Sequence, residues 1–275
     1  MNVTTVGPLP AGSLLWQRQG NWVLTVVCKA TFSLQPGEST LAEEQDALSA
    51  ADVHYEDDPG HSVQVPCDLV PFKGRADVVL VGYAFAPPGD PARQVVVRMI
   101  VGELDKAFMV VCDRAWTQSG VLREGPRFTR MPLRYERAGG GPDTANPIGV
   151  SPDAPPDSYG MMHLPNLQPA SFVPSRPGAV IAPVGFGPIS GTWPARREKL
   201  GRLATLPEQW DLAPLPADLD PRYFNCAPRD QQVEALRDNE RLVLENLHPQ
   251  HPRLVTSLPG LRPRAFAERG EGPQE

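Results

Sequence analysis

RQVVVRMIVGELDKAFMVVCDRAW, Arg93 to Trp116, holds two apolar runs on either side of a polar break near Glu103 to Lys106. Both runs are short, and the first is rich in valine. That pattern predicts two strands joined by a turn, a β-hairpin. Upstream, NWVLTVVCKATFSL (Asn21 to Leu34) alternates with a period of two. Trp22, Leu24, Val26, Cys28, Ala30, Phe32 and Leu34 share one face, and Val23, Thr25, Val27, Lys29, Thr31 and Ser33 share the other. ADVVLVGYAF (Ala76 to Phe85) is a further strand candidate that ends at Pro87-Pro88. RLVLENL (Arg241 to Leu247) and RLVTSL (Arg253 to Leu258) read as two closing strands. The expected fold is mainly β, an antiparallel β-sandwich or curved sheet.

Proline changes the character of the second half. There are 33 prolines in 275 residues, well above the average usage of about 5%. Twenty-two of them follow Gly139. Proline is excluded from helix interiors and central strands, so long irregular loops are expected. Residues 1–137 read as the sheet core. Residues 138–260 read as a loop-rich wrapping region of the same domain, anchored by Phe172, Phe186, Trp193, Trp210, Tyr223 and Phe224 and tipped by disorder between Gly149 and Ser158. Residues 261–275 read as a flexible tail. One short helix near the C-terminus is expected over Pro228 to Glu240, where Pro228 and early acidic residues suit a helix start.

The chain carries a net charge of −6, without the basic stripe of a nucleic-acid binder. The N-terminal stretch lacks the basic and apolar regions of a signal peptide, and no run is long enough to cross a membrane. Cysteines at 28, 67, 112 and 226 form neither a C-x-x-C pair nor a disulfide framework. A cytoplasmic, reduced protein is the expectation, with no cofactor, membrane insertion or small-molecule substrate.

Three clusters compete for chemistry. Cys226, in FNCAPRDQQ (Phe224 to Gln232), would need a histidine or a helix N-terminus to become a nucleophile. The simpler reading is a small residue packed in a loop. His54, Glu56, Asp57, Asp58 and His61 could offer metal ligands, but the DDPG turn accounts for most of that cluster. His248 and His251 are each followed by proline, which forbids a helix and favours a turn between the closing strands. AGGGPDTANPIG (Ala138 to Gly149) lacks the G-K-[ST] ending of a phosphate loop.

The chain resembles a bacterial family known as domain of unknown function 2169. VVCKATFSL resembles its K-A-T-F strand. CDLVPFKGRADVVLVGYAFAP is similar to its D-L-x-P-x-K turn and following strand. CDRAW, MPLRYERAGGG, NPIG, LPNL, GFGPISGTWPARR and DLDPRYFNCAPRDQQ resemble its later landmarks, in the same order, so that the resemblance runs from about Trp16 to Gly260. Ala138 stands where the family usually has phenylalanine. The resemblance implies a non-enzymatic adaptor or chaperone that binds a type VI secretion effector and helps load it onto the secretion spike. It carries over no catalytic residues, and its landmark does not fix cysteine at position 226. On that picture the partner contacts are Arg137, Gly139, Gly140, Asn146, Trp193 and Arg197. The competing reading of the glycines and Trp193 is that they are buried and fix loop geometry. A β-rich structural or carbohydrate-binding module is the alternative, and a cysteine- or metal-dependent hydrolase a further one.

Overall fold

The computed structural model describes residues 7–18, 20–203, 206, 214–262 and 264. Trp210 and the charged end of the tail lie outside them. The centre is a five-stranded antiparallel sheet in the order 167–168, 104–111, 94–101, 241–245, 253–257. Gln94–Val101 and Leu104–Val111 form the expected hairpin, with Val101 opposite Leu104. Its turn is tighter and earlier than the polar break implied. Only Gly102 and Glu103 intervene, and Gly102 takes a φ of 58°, the glycine-first pattern of a type II′ hairpin.

Cross-strand rows build the buried face. Val97 lies opposite Phe108, Val95 opposite Val110, and Met99 opposite Leu244, which in turn faces Leu254. All of these side chains are buried. The other face is polar at several positions, where Arg98 makes a bidentate ion pair with Asp105 at 2.8 and 2.6 Å.

The buried face is covered by loops. Phe186 packs on Phe108 with ring centroids 4.6 Å apart, and Met131, Leu133, Tyr135 and Trp193 extend the same core. The segment Val78–Gly82 is not strand, although the sequence alternates through it. Its amides are taken by loop carbonyls instead, Val78 N donating to Gln231 O (3.0 Å) and Leu80 N to Phe186 O (2.9 Å). Short strands Ala76–Asp77 and Tyr83–Phe85 flank it.

The expected helix over Pro228 to Glu240 does not form. Arg229–Gln231 makes a single 3-10 turn, and Gln232–Val233 then pairs with Ala76–Asp77. A short helix with a weak apolar stripe has little intrinsic stability, and here the backbone is claimed by a neighbouring strand. The one α-helix among the described residues is Pro194–Arg197, opened by proline. The tip between Gly149 and Ser158 is also structured: Gly140 N donates to Val150 O at 3.0 Å, and Asp157 Oδ1 accepts from the amides of Tyr159 and Met161.

Gln231 ties this layer to the sheet. It is fully buried, accepts from Lys106 Nζ at 2.7 Å, and donates to Val78 O at 2.7 Å and Phe186 O at 2.9 Å. Gln231→Leu keeps the volume and removes all three bonds. It should lower stability by about 3 kcal/mol, read as a fall in urea midpoint at constant slope. A midpoint within error of the parent protein would show that the node is dispensable.

Candidate functional site

Four of the six expected contact residues lie beneath the surface. Gly139, Gly140, Asn146 and Trp193 are buried. A Cβ on Gly139 would sit 2.1 Å from Ile181 O, and one on Gly140 2.2 Å from Asn146 O. The double glycine therefore permits close backbone approach. Asn146 Nδ2 closes the loop by donating to Tyr135 O (2.8 Å) and Gly139 O (3.0 Å). Trp193 packs edge-on against Tyr135 at 5.1 Å.

The remaining two, Arg137 and Arg197, are accessible but do not share a site. Arg197 is exposed on the short helix. Its neighbour Arg196 is the buried one, donating to Tyr223 O (2.9 Å) and Ile189 O (2.8 Å) with its guanidinium 5.0 Å from the Tyr223 ring centroid. Arg137 lines a cleft of about 420 Å³ together with Arg114, Arg134, Glu136, His61 and His163. Arg137 donates to Asn166 Oδ1 at 2.8 Å, and Arg134 stacks over the Tyr55 ring at 3.6 Å.

Cys226 is a buried packing residue. Its amide donates to Asp77 Oδ2 at 3.0 Å, and its sulfur lies 3.6 Å from the same oxygen. Burial, above all, pushes the thiol up to about 12, and the Asp77 carboxylate adds to this against Lys73 and Arg196. At pH 8 a thiol with that value is about one part in ten thousand thiolate. The 3-10 turn Arg229–Gln231 that follows offers little dipole in place of the expected helix. Asp77 itself is the hub. Lys73 Nζ reaches it at 2.8 Å and Asn225 Nδ2 at 2.9 Å. Burial raises its carboxyl, but Lys73 and these donors outweigh that and hold it below the usual range.

The two histidine clusters are turns. His54 Nδ1 meets His61 O at 2.7 Å, and His61 Nδ1 meets Tyr55 O at 3.2 Å, so each ring is spent on its own loop. His248 Nδ1 accepts from the amides of Gln250 (3.2 Å) and His251 (3.1 Å) between the closing strands. Among the described residues no group of three or more His, Cys, Asp or Glu side chains is placed to hold a metal ion, and no helix is long and apolar enough to cross a membrane.

A surface that sequence reasoning missed lies at the N-terminal end. Ala11–Arg18 and Asn21–Cys28 form a separate two-stranded sheet. One face, with Leu14, Trp16, Val23 and Thr25, is covered: Trp16 stacks on Phe72 at 5.7 Å, and a Cβ on Gly12 would meet Leu48 at 2.8 Å. The opposite face carries Leu15, Trp22, Leu24, Val26 and Cys28 and points outward. Trp22 is 57% exposed, Leu15 42% and Val26 42%. Alternation placed Trp22, Leu24, Val26 and Cys28 on one face correctly; it could not tell that this face is the uncovered one. The available signal was that both faces of the ribbon are apolar, whereas two strands have only one face against the body.

Two outcomes check the Cys226 centre. Native protein treated with a thiol reagent at pH 8 should be labelled at the exposed Cys28 and at Cys226 only after unfolding, as mapped by peptide mass spectrometry. Labelling of both at equal rates in the native state would contradict the burial. Asp77→Asn leaves Lys73 without its counter-charge and should cost about 2 kcal/mol at pH 7. Because the folded carboxyl is held low, that contribution is present above the ordinary carboxylate range and is lost as the pH falls through the folded value. Parent and variant should therefore converge in denaturation curves taken at acid pH.

Comparison with known proteins gives one result. Neither the curated proteins nor the solved structures yield a match. A family model described as "Uncharacterized protein conserved in bacteria (DUF2169)" matches residues 19–275. That span covers nearly the whole chain, with the strands of the central sheet, the glycine loop and the Asp77 centre inside it, and the protein therefore belongs to the DUF2169 family.

Proposed function

We propose that this protein is a non-enzymatic adaptor or chaperone of the bacterial cytoplasm that binds a type VI secretion effector and helps load it onto the secretion spike. The observation that carries the reading is the outward apolar face of the N-terminal hairpin. Scattered exposed apolar residues are normal on a protein surface. A contiguous set on one pleated face, with a tryptophan more than half exposed, is the kind of patch that marks a protein contact. The covered face fixes the ribbon to the body through Trp16 and Phe72, so the outward face is presented on a firm base. An apolar segment of the effector covers Leu15, Trp22 and Val26, while the rest of the fold stays rigid. The family resemblance supplies the secretion context, and the ribbon supplies a physical place for cargo.

A tagged pull-down from the native host, followed by mass spectrometry, tests this. A secretion effector or a spike protein should be recovered in stoichiometric amount. The double variant Trp22→Asp, Val26→Asp should lose about 90% or more of that partner while keeping the parent's circular dichroism spectrum and urea midpoint. Recovery of the tagged protein alone from cells that express the secretion machinery would overturn the reading.

A further inference from the structure

Four buried side-chain polar atoms have no hydrogen-bond partner among the described residues: Arg114 Nε, Trp116 Nε1, Asn146 Oδ1 and Asn225 Oδ1. Buried polar groups are almost always paired, so the pattern of exceptions is informative. Only two of them are donors. Both come from one strand of three residues, Arg114–Trp116, at positions i and i+2. They therefore project from the same face of that strand.

The strand is the middle one of a three-stranded sheet, between Leu122–Glu124 and Met162–Leu164. Each orphan donor belongs to a residue that lines a cavity. Trp116, 8% exposed, lines a slot of about 100 Å³ walled by Met162, Leu164, Ile181, Pro152 and Pro155. Arg114 lines the cleft of about 420 Å³ that also holds Arg134 and Arg137. The two cavities adjoin, sharing Val150, His163 and Leu164 as common wall. The acids of the cleft are already engaged. Glu136 accepts from Ser62 N at 2.8 Å and Ser62 Oγ at 2.5 Å. Asp113 accepts from Asn166 Nδ2 at 2.9 Å and lies 3.7 Å from Arg137. Arg114 spends one nitrogen on the neutral amide of Gln168 at 2.5 Å, and the acid opposite it across the strand pair, Glu124, is bonded to Arg93 at 3.1 Å.

We propose that this face of Arg114–Trp116 is a binding site for the carboxylate-bearing C-terminus of a polypeptide whose last side chain is apolar. A carboxylate offers two oxygens with about four acceptor positions, and arginine pairs with it through strong charge-assisted bonds. The slot beside it is of the order of one aliphatic side chain or small ring, by comparison with apolar cavities of about 150 Å³ that take benzene. Arg114 and Arg137 hold the carboxylate, the terminal side chain enters the slot, and Trp116 Nε1–H donates to an oxygen at the cleft–slot boundary. A small inorganic anion would satisfy the arginines but leave the slot empty and the indole unpaired. The polypeptide nature of the ligand rests on the adaptor reading; the need for an acceptor-rich anion with an apolar arm does not.

The test uses the purified, full-length protein labelled with ¹⁵N and the probe acetyl-Gly-Gly-Gly-Leu, as free acid and as carboxamide. Affinity is measured by calorimetry. The indole N–H resonance of Trp116, assigned with Trp116→Phe, reports the slot. The free acid should bind and move that resonance, and the carboxamide should bind about tenfold more weakly or worse. Arg137→Gln, at a half-exposed position, should weaken the acid by a similar factor while keeping the parent's circular dichroism spectrum, and it keeps the test open if Arg114→Gln fails to fold. Inorganic phosphate should compete only weakly and leave the Trp116 resonance in place. Equal binding of acid and amide, no response of Trp116 to millimolar peptide, or phosphate binding as well as peptide would each overturn the site. If the host pull-down finds no cargo but the free acid binds as described, the adaptor reading falls and this site stands. If cargo is recovered but the acid does not bind, the reverse holds.

Discussion

A single buried glutamine holds the loop layer to the sheet. Gln231 satisfies its amide in three directions at once, towards Lys106 on the central hairpin and towards the main chain at Val78 and Phe186. Lys106 in turn reaches Asp230 at 2.8 Å, so the residue preceding the glutamine neutralises the lysine that binds it. Hydrophobic burial drives Phe186 onto Phe108, but apolar contact is non-directional and would tolerate many loop positions. The amide tolerates one, because each unmade bond in that interior would cost about 1–3 kcal/mol. Specificity of the covering layer therefore lives in polar geometry, laid over an apolar driving force.

The same device recurs for a compositional reason. Each proline contributes a carbonyl acceptor but no N–H donor. A layer this rich in proline carries a surplus of acceptors that no ladder can satisfy, and buried carbonyls must still be paired. Side-chain amides make up the shortfall. Every buried Asn and Gln among the described residues donates to a main-chain carbonyl: Asn146 to Tyr135 and Gly139, Asn166 to Val111, Gln168 to Pro165, Asn225 to Arg75, and Gln231 to Val78 and Phe186. Long irregular segments can thus be as fixed as strands, which is why the stretch from Gly149 to Ser158 is structured despite a composition that favours disorder.

This division of labour explains what could be read from the sequence. Val95, Val97, Met99 and Val101 alternate with solvent-facing residues because one face of the sheet is wet, so the hairpin and its class of fold were visible from period alone. The turn at Gly102 was displaced by a residue or more, since polarity marks a turn less sharply than glycine's positive φ does. Val78 to Gly82 alternates equally well and is not a strand, because its amides are captured by Gln231 and Phe186, residues more than a hundred positions away. No local pattern contains that information. The helix expected after Pro228 failed for the same reason. Among the site residues, Arg137 reached a cleft, while the glycines, Asn146 and Trp193 are the parts that fix the loop. A landmark in sequence is an invitation to both readings, and only burial separates them.

The two candidate surfaces differ from the core in how their needs are met. Inside, the chain supplies partners for nearly every polar group; Asn146 Oδ1 and Asn225 Oδ1 are the exceptions besides the two donors of Arg114–Trp116. On the N-terminal ribbon the unmet demand is apolar. A two-stranded sheet is marginal by itself, and this one relies on Trp16, Phe72 and the contact of Phe72 with Phe224 at 6.4 Å to hold one face. Covering Trp22, Leu15 and Val26 would add roughly 25 cal/mol for each Å² of apolar area removed from water, a gain the isolated protein forgoes. In the Arg114–Trp116 cleft the unmet demand is for acceptors, in a chain whose loops otherwise carry acceptors in surplus and recruit five side-chain amides as donors to satisfy them. Of the four unpaired atoms, the two acceptors belong to amides already bonded through their nitrogens, whereas the two donors share one strand face. Their chemistry is that of a group the chain does not itself contain at that place, and a carboxylate with an apolar neighbour answers both donors and the slot together.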